Sequence, residues 1–322
     1  LHIPFVPASL FAALPQGEAL LRAFCSYDVV GFQTEEHRRD FLDCVKHGLG
    51  LEPDIDGVVT SAEGRTQVIA NPIGIDARAF AAMANKGERS IETRRLVSSL
   101  VNRDLVIGVD RLDYSKGLPH RFDAFGRLLQ RFPEMRQKVS YLQIAARSRE
   151  DVSEYRDLRR GLDRKAGNIN GRFAEFDWVP LRYMVRPVGR GTLAGFFRVA
   201  KVGLVTPLRD GMNLVAKEFI AAQDHNDPGV LVLSRFAGAA EDLHEAVIIN
   251  PYDPDEIADA MYQALTMPLE ERQDRMEHLR ARVFTNTAET YCRKFIDTMK
   301  AGPEVSGGNG KRNYIGPERR AG

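Results

Sequence analysis

The chain has 322 residues, of which 43% are hydrophobic and 28% charged, and its formal net charge is +1. Two ordinary domains fit this length, and the composition suits a globular protein with a buried core. A near-neutral charge provides no overall field to attract nucleic acid or an anionic membrane, so we predict neither as a partner. The three widely spaced cysteines, Cys25, Cys44 and Cys292, form no zinc pattern and indicate reduced thiols in a cytoplasmic protein.

Residues 1–98 are predicted to be the C-terminal part of a Rossmann-like α/β domain. Apolar runs predict strands at 29–32 and 67–70, and Thr34 followed by two glutamates predicts a helix over 34–47. Two or three strands are too few for such a domain to be complete. We therefore expect the missing strands upstream of Leu1, where the chain starts without Met.

Residues 99–283 alternate short apolar runs with longer amphipathic stretches, which predicts a second doubly wound, Rossmann-like domain with its ligand beyond the carboxyl ends of the strands. The predicted strands are 105–109, 139–145, 173–179, 202–205, 230–233 and 247–249. The predicted helices are 120–132, 151–166, 192–200, 214–223 and 254–265. A last helix over 284–301 is expected to cross back to the N-terminal domain, and residues 302–322 are predicted to be a disordered tail.

The first candidate site is the segment 110–117 (DRLDYSKG), which joins a buried strand to a helix. In a parallel sheet this junction lies on the ligand-binding edge. Arg111 and Lys116 could both bind one anion there, the guanidinium as a fork and the ammonium as a point charge. The alternative is an ordinary surface loop with an ion pair between Arg111 and Asp113.

The second candidate site is the segment 206–218 (TPLRDGMNLVAKE), which joins a strand to a helix at the same edge. Gly211 permits a tight turn, and the free N–H groups that begin the helix would attract a phosphate. Glu218 lies one turn further along and could accept two hydrogen bonds from a ribose diol. The alternatives are a helix cap for Asp210 or Asn213 and a solvated helix face for Glu218.

Weaker candidates are Arg147 and Arg149, after the strand at 139–145, and the lone His2. The arginines suit a second anion or an ion pair at the start of a helix. The sequence contains no HExxH, Walker A or GxGxxG motif and no recognisable Ser-His-Asp set. Two anion sites, a carboxylate suited to a diol and no metal motif together indicate a nucleotide diphosphate as ligand.

These motifs resemble those of the trehalose-6-phosphate synthase family, glycosyltransferase family 20. The resemblance covers roughly residues 1–300 and is most specific at 109–117 and 207–218, with further matches at 1–5, 31–34, 71–76 and 229–240. It implies a GT-B fold with two Rossmann-like domains. It also implies retaining transfer of glucose from UDP-glucose to glucose 6-phosphate, with no metal and no other cofactor. Self-association into a homo-oligomer stays open.

The resemblance also implies roles for individual residues. Arg111 and Lys116 correspond to the diphosphate-binding pair, Asp210 to the acid on a glucose hydroxyl and Arg149 to the arginine on the acceptor phosphate. His2 corresponds to a histidine near the donor sugar, and Val188 to a backbone contact with the base. The UDP-binding loop and helix start correspond to Gly211, Met212, Asn213, Leu214, Val215, Ala216, Lys217 and Glu218. His2, Arg111, Lys116 and Asp210 are the predicted catalytic residues.

Two alternative functions remain. A glucosylglycerol-phosphate synthase would share the same donor half, because acceptor choice depends largely on the region upstream of Leu1. A non-catalytic nucleotide-sugar-binding homologue is the other alternative, and the intact Arg111, Lys116, Asp210 and Glu218 argue against it.

Overall fold

The computed structural model describes residues 1–62, 64–146 and 153–302. Within these ranges the chain forms nine β-strands and twelve α-helices. The strands are β1 Val29–Phe32, β2 Val58–Thr60, β3 Arg65–Ala70, β4 Asp104–Arg111, β5 Val139–Ala146, β6 Leu181–Met184, β7 Val202–Val205, β8 Val230–Ser234 and β9 Val247–Ile249. The helices are α1 Ala8–Phe11, α2 Gly17–Phe24, α3 Glu35–Leu49, α4 Ala77–Gly87, α5 Ile91–Leu100, α6 Leu118–Arg131, α7 Ser153–Phe173, α8 Arg190–Arg198, α9 Leu214–Ala222, α10 Pro254–Thr266, α11 Leu269–Thr285 and α12 Ala288–Ala301.

The larger sheet has six parallel strands in the order β6-β5-β4-β7-β8-β9. Successive side chains of a strand point to opposite faces, so an apolar run such as β4 supplies two cores. Leu105 and Ile107 enter the core beneath α8 and α9, whereas Val106 enters the core beneath α6 and α10. The predicted doubly wound sheet is therefore confirmed. Its strand order reverses between β4 and β7, where ligands bind in such folds.

The predicted strand at 173–179 is wrong. Helix α7 continues to Phe173, because Ala166 and Ile169 bury their side chains in the core that α6 lines. The aromatic residues that suggested a strand lie around a turn, in which Trp178 donates an indole hydrogen bond of 2.9 Å to the Val139 carbonyl. The third strand along the chain is β6, which starts after this turn and pairs with β5.

The smaller sheet has the order β1-β3-β2, with β1 parallel and β2 antiparallel to β3. The two strands predicted for residues 1–98 are confirmed, and β2 was not predicted. Helix α3 begins where the sequence indicates, since the Thr34 hydroxyl accepts a hydrogen bond of 3.1 Å from the His37 amide. Phe5, Phe32 and Phe41 pack together with ring centroids 5.1–5.5 Å apart and form the centre of this core.

Helix α4 precedes the proposed boundary at residue 98 and α5 crosses it, yet both helices pack into the core of the six-stranded sheet. Phe80 and Leu96 belong to the same buried cluster as Phe197 of α8. Helix α12 lies against the smaller sheet, where Lys294 Nζ donates a 3.0 Å hydrogen bond to the Ala70 carbonyl. The division into domains stays a prediction, and the tail expected over 302–322 lies outside the described residues apart from Gly302. Among the helices in the described ranges, none is both long and apolar enough to cross a lipid bilayer.

Candidate active site

The two predicted motifs meet at the reversal of strand order. The first motif follows β4 and the second follows β7, which is the direct neighbour of β4 in the sheet. The Leu208 amide donates a 2.7 Å hydrogen bond to the Ser115 carbonyl and joins the two loops. Segments about 90 residues apart in sequence therefore form one surface at the carboxyl edge of the sheet.

The loop after β4 is shaped by its own side chains. Asp113 accepts hydrogen bonds of 2.9 Å from the amide and the hydroxyl of Ser115, so it caps a single 3₁₀ turn and forms no ion pair with Arg111. Gly117 closes the turn at a φ of 67°, and a Cβ there would lie 2.5 Å from the Thr206 carbonyl. Arg111 ends β4 with an exposed guanidinium that has no ion-pair or hydrogen-bond partner among the described residues. That guanidinium is therefore available to an anion.

Lys116 and Asp210 form the central contact of the site, with Lys116 Nζ 2.6 Å from Asp210 Oδ2. The same oxygen accepts a 3.0 Å hydrogen bond from Asn213 Nδ2. Asn213 adopts a φ of 74°, and its side chain makes no capping hydrogen bond to the helix that follows. The first amides of α9 are therefore left for a ligand, as the sequence predicts, and an ammonium lies beside them.

Three other side chains of the second motif turn away from this surface. Met212, Ala216 and Lys217 are buried. Lys217 Nζ donates a 2.9 Å hydrogen bond to the Ile73 carbonyl, and burial lowers the pKa of its ammonium. Only the backbone of these three residues can contact a ligand. The tie from Lys217 to the loop before α4 was not predicted.

His2 reaches the second motif through its backbone. A Cβ on Gly211 would collide with the His2 carbonyl oxygen, so Gly211 is required for close approach of the N-terminal segment rather than only for a turn. The His2 ring is exposed, with its Nδ1 atom 3.4 Å from Gln33 Nε2. The structure thus brings His2 beside Asp210 and Gly211 despite their separation in sequence.

Glu218 lies on α9 with a side chain only 22% exposed, so its predicted alternative as part of a solvated helix face is wrong. Burial raises the pKa of its carboxyl, and Arg190 opposes that shift from 3.3 Å. Arg190 starts α8, two residues after the half-buried Val188 in the loop that follows β6. Sequence analysis missed Arg190, because it predicted no strand at 181–184 that would place the loop before α8 at this edge of the sheet.

Arg149 and its neighbour Arg147 lie outside the described residues. The last residue of β5 before them, Ala146, pairs with Arg111 at the end of β4. The role of Arg149 stays a prediction.

A cavity of about 320 Å³ is lined in part by Asp210, but not by Lys116 or Arg111. Its walls are the loops after β7 and β8 and the first turn of α3, including Thr34, His37 and Phe236. Residues 236–238 of this wall belong to the segment 229–240, which carries one of the further matches to the family. Across the described ranges, no three His, Cys, Asp or Glu side chains are grouped so that they could hold a metal ion.

A model of glycosyltransferase family 20 matches residues 1–301. The chain belongs to this family. A curated trehalose-6-phosphate synthase of Sinorhizobium fredii is 46% identical to this family member over 308 residues, which are 95% of this chain and 66% of the relative. The chain thus spans slightly less than two thirds of the length of that relative.

Two solved structures are similar in fold as well as in sequence. One is an α,α-trehalose-phosphate synthase (UDP-forming) from Burkholderia xenovorans in complex with glucose-6-phosphate. It has a TM-score of 0.90 and 44% identity, over 92% of this family member and 65% of that chain. The other, from E. coli, is bound with UDP-2-fluoro glucose and has a TM-score of 0.88 and 44% identity over the same shares. The predicted GT-B fold is confirmed.

Proposed function

We propose that this family member is a retaining glucosyltransferase that moves glucose from UDP-glucose to glucose 6-phosphate and forms α,α-trehalose 6-phosphate. The observation that carries the proposal is the contact of 2.6 Å between Lys116 and Asp210 beside the start of α9, at the reversal of strand order. The ligands of the two similar structures, a UDP-glucose analogue and glucose-6-phosphate, support the assignment of donor and acceptor.

In this proposal the donor lies along the carboxyl edge of the six-stranded sheet. Its diphosphate binds Arg111, Lys116 and the first amides of α9, where cationic groups and the positive end of the helix coincide. The half-buried Glu218 accepts the hydrogen bonds of the ribose diol. The base lies by the backbone of Val188, in the loop after β6.

The chemical step leaves negative charge on the departing diphosphate. Fixed cations and helix-end amides next to that charge stabilise the transition state, so in this proposal Arg111 and Lys116 serve where other enzymes use a metal ion. Asp210 holds a glucose hydroxyl while it keeps the Lys116 ammonium in place. The acceptor hydroxyl then attacks from the face that the diphosphate leaves and gives its proton to an oxygen of the departing diphosphate, which retains the configuration of the donor.

Acceptor binding is assigned to Arg149, on the phosphate of glucose 6-phosphate. His2 is placed near the donor sugar. The close approach of the His2 carbonyl to Gly211 supports the placement of His2. Both substrates are small molecules. Cys25, Cys44 and Cys292 form no disulfide, which supports the expected cytoplasmic location.

The test is release of UDP from UDP-glucose, measured with this chain and with a polypeptide of the full length of its relatives. Release with glucose 6-phosphate but not with glycerol 3-phosphate is the expected result. Release with glycerol 3-phosphate alone would instead identify a glucosylglycerol-phosphate synthase. No release by the longer polypeptide, with UDP still bound, would contradict the catalytic proposal.

The raised pKa of Glu218 predicts a dependence of UDP affinity on pH. The ionised carboxylate accepts the ribose hydrogen bonds, and a raised pKa means that protonation begins at a higher pH than for an ordinary glutamate. As the pH falls from 7.5, the chain should lose UDP affinity before the pH reaches the ordinary glutamate value. Isothermal titration calorimetry at several pH values measures this loss.

The matched control is E218Q, which keeps the shape of the side chain but cannot ionise. The phosphates of UDP also titrate, but they do so equally in both proteins, so the ratio of the two affinities isolates Glu218. At pH 7.5 we expect the unchanged chain to bind UDP about tenfold more tightly than E218Q does. In acid the two affinities should become equal. A ratio that is constant with pH would contradict the ribose role.

A further inference from the structure

We propose that Arg121 is a positioning residue for the donor diphosphate, a role that rests on the proposed function. It lies on α6 and is completely buried although it carries a charge. Its neighbours on the same helix face, Phe122 and Phe125, are core residues. A buried arginine is costly unless it is paired and hydrogen-bonded, so its partners indicate what it does.

The guanidinium of Arg121 binds the ends of three adjacent strands. Its Nη1 atom donates to Asp110 Oδ2 on β4 at 2.7 Å and to Gln143 Oε1 on β5 at 2.9 Å. Its Nε atom donates to Thr206 Oγ1, directly after β7, at 3.0 Å. Its Nη2 atom donates to the Lys116 carbonyl at 3.3 Å.

Strand β4 leaves space for this group. A Cβ on Gly108 would lie 2.6 Å from Arg121 Nη1 and would also collide with Gln143. A planar fork with several donors can satisfy acceptors on four segments at once, whereas a lysine ammonium cannot span them. The site beneath the two loops is therefore shaped for a guanidinium.

The positions of these acceptors indicate that Arg121 does more than fill space in the core. Thr206 begins the loop that carries Asp210, and the Lys116 carbonyl belongs to the residue whose ammonium lies 2.6 Å from Asp210. Arg121 thus joins the two loops on their buried side, whereas the contact between Lys116 and Asp210 joins them within the site. We infer that loss of Arg121 lets the loops separate and displaces Lys116 from the diphosphate, while the ribose and base contacts at Glu218 and Val188 persist.

The test compares UDP with uridine, which lacks the phosphates, in calorimetric titrations of the chain. R121M should raise the Kd for UDP by about 30-fold, because misplaced charged groups lose most of their contribution, and should change the Kd for uridine by less than about threefold. R121K should recover only part of the UDP affinity. If R121M does not fold, T206V removes one acceptor of the guanidinium and should shift UDP affinity in the same direction by roughly threefold.

The matched control is Arg272, another buried arginine, which lies at the opposite end of the sheet. Its Nη1 atom lies 2.6 Å from Asp227 Oδ1, just before β8. R272M should lower the melting temperature and leave the Kd for UDP unchanged. Equal weakening of UDP and uridine by R121M, or unchanged UDP affinity, would overturn the role of Arg121. If the chain without any substitution binds uridine at least as tightly as UDP, or binds neither compound, the proposed donor site is wrong. The role of Arg121 is then wrong as well.

Discussion

Replacing Arg111 by alanine should weaken UDP binding by roughly 100-fold, or about 3 kcal/mol, with almost no change in melting temperature. The guanidinium is exposed at the end of β4 and has no partner among the described residues, so its removal leaves no buried group unpaired. Its interaction with the diphosphate is lost entirely. Calorimetric titration with UDP and a thermal melt of the same sample measure both quantities.

Arg94 provides the control for that variant. It is exposed on α5, a helix that lies away from the carboxyl edge of the sheet, and R94A removes the same charge from the chain. UDP affinity in R94A should stay within about twofold of the unchanged chain, which separates a local contact from a loss of net charge. Equal affinities in R111A and R94A would show that the diphosphate does not bind at Arg111.

The sequence predicts the large sheet well, because the strands are short apolar runs that are buried on both faces. It also indicates the right edge, since both candidate motifs follow such runs and parallel strands place their carboxyl ends together. Five of the six predicted strands agree with β4, β5, β7, β8 and β9. The sixth failed because burial of Ala166 and Ile169 continues α7 through Gly167 and Gly171, against the low helix propensity of glycine.

Contacts between segments that are distant in the sequence were harder to predict. Arg121 stands between hydrophobic positions of α6, and a charge on an apolar helix face was a signal, but its partners come from three other strands. The hydrogen bond from Lys217 to the Ile73 carbonyl joins residues that no local sequence pattern connects. The same holds for His2 and Gly211. Such pairs depend on how loops meet after folding, which neither periodicity nor motif spacing encodes.

Gly211→Ala is the second variant with a large expected effect. The added Cβ would occupy the position of the His2 carbonyl oxygen, and a backbone atom cannot move aside as the end of a flexible side chain can. Overpacking of this kind costs about 2 kcal/mol, so we expect a lower free energy of unfolding in a urea titration. The loop from Asp210 to Asn213 must also shift, which should weaken UDP binding roughly tenfold.

Gly167 is the matched control, because the same chemical change there meets no obstacle. It lies within α7, and no atom lies within 4 Å of the Cβ that alanine would add. Since alanine is the better helix former, Gly167→Ala should stabilise the chain by about 0.8 kcal/mol and leave UDP affinity unchanged. Opposite signs of the two stability changes would show that the requirement at position 211 is space for the N-terminal segment. If Gly211→Ala also raised stability, the close contact between His2 and the donor loop would be ruled out, and with it the structural support for His2 near the donor sugar.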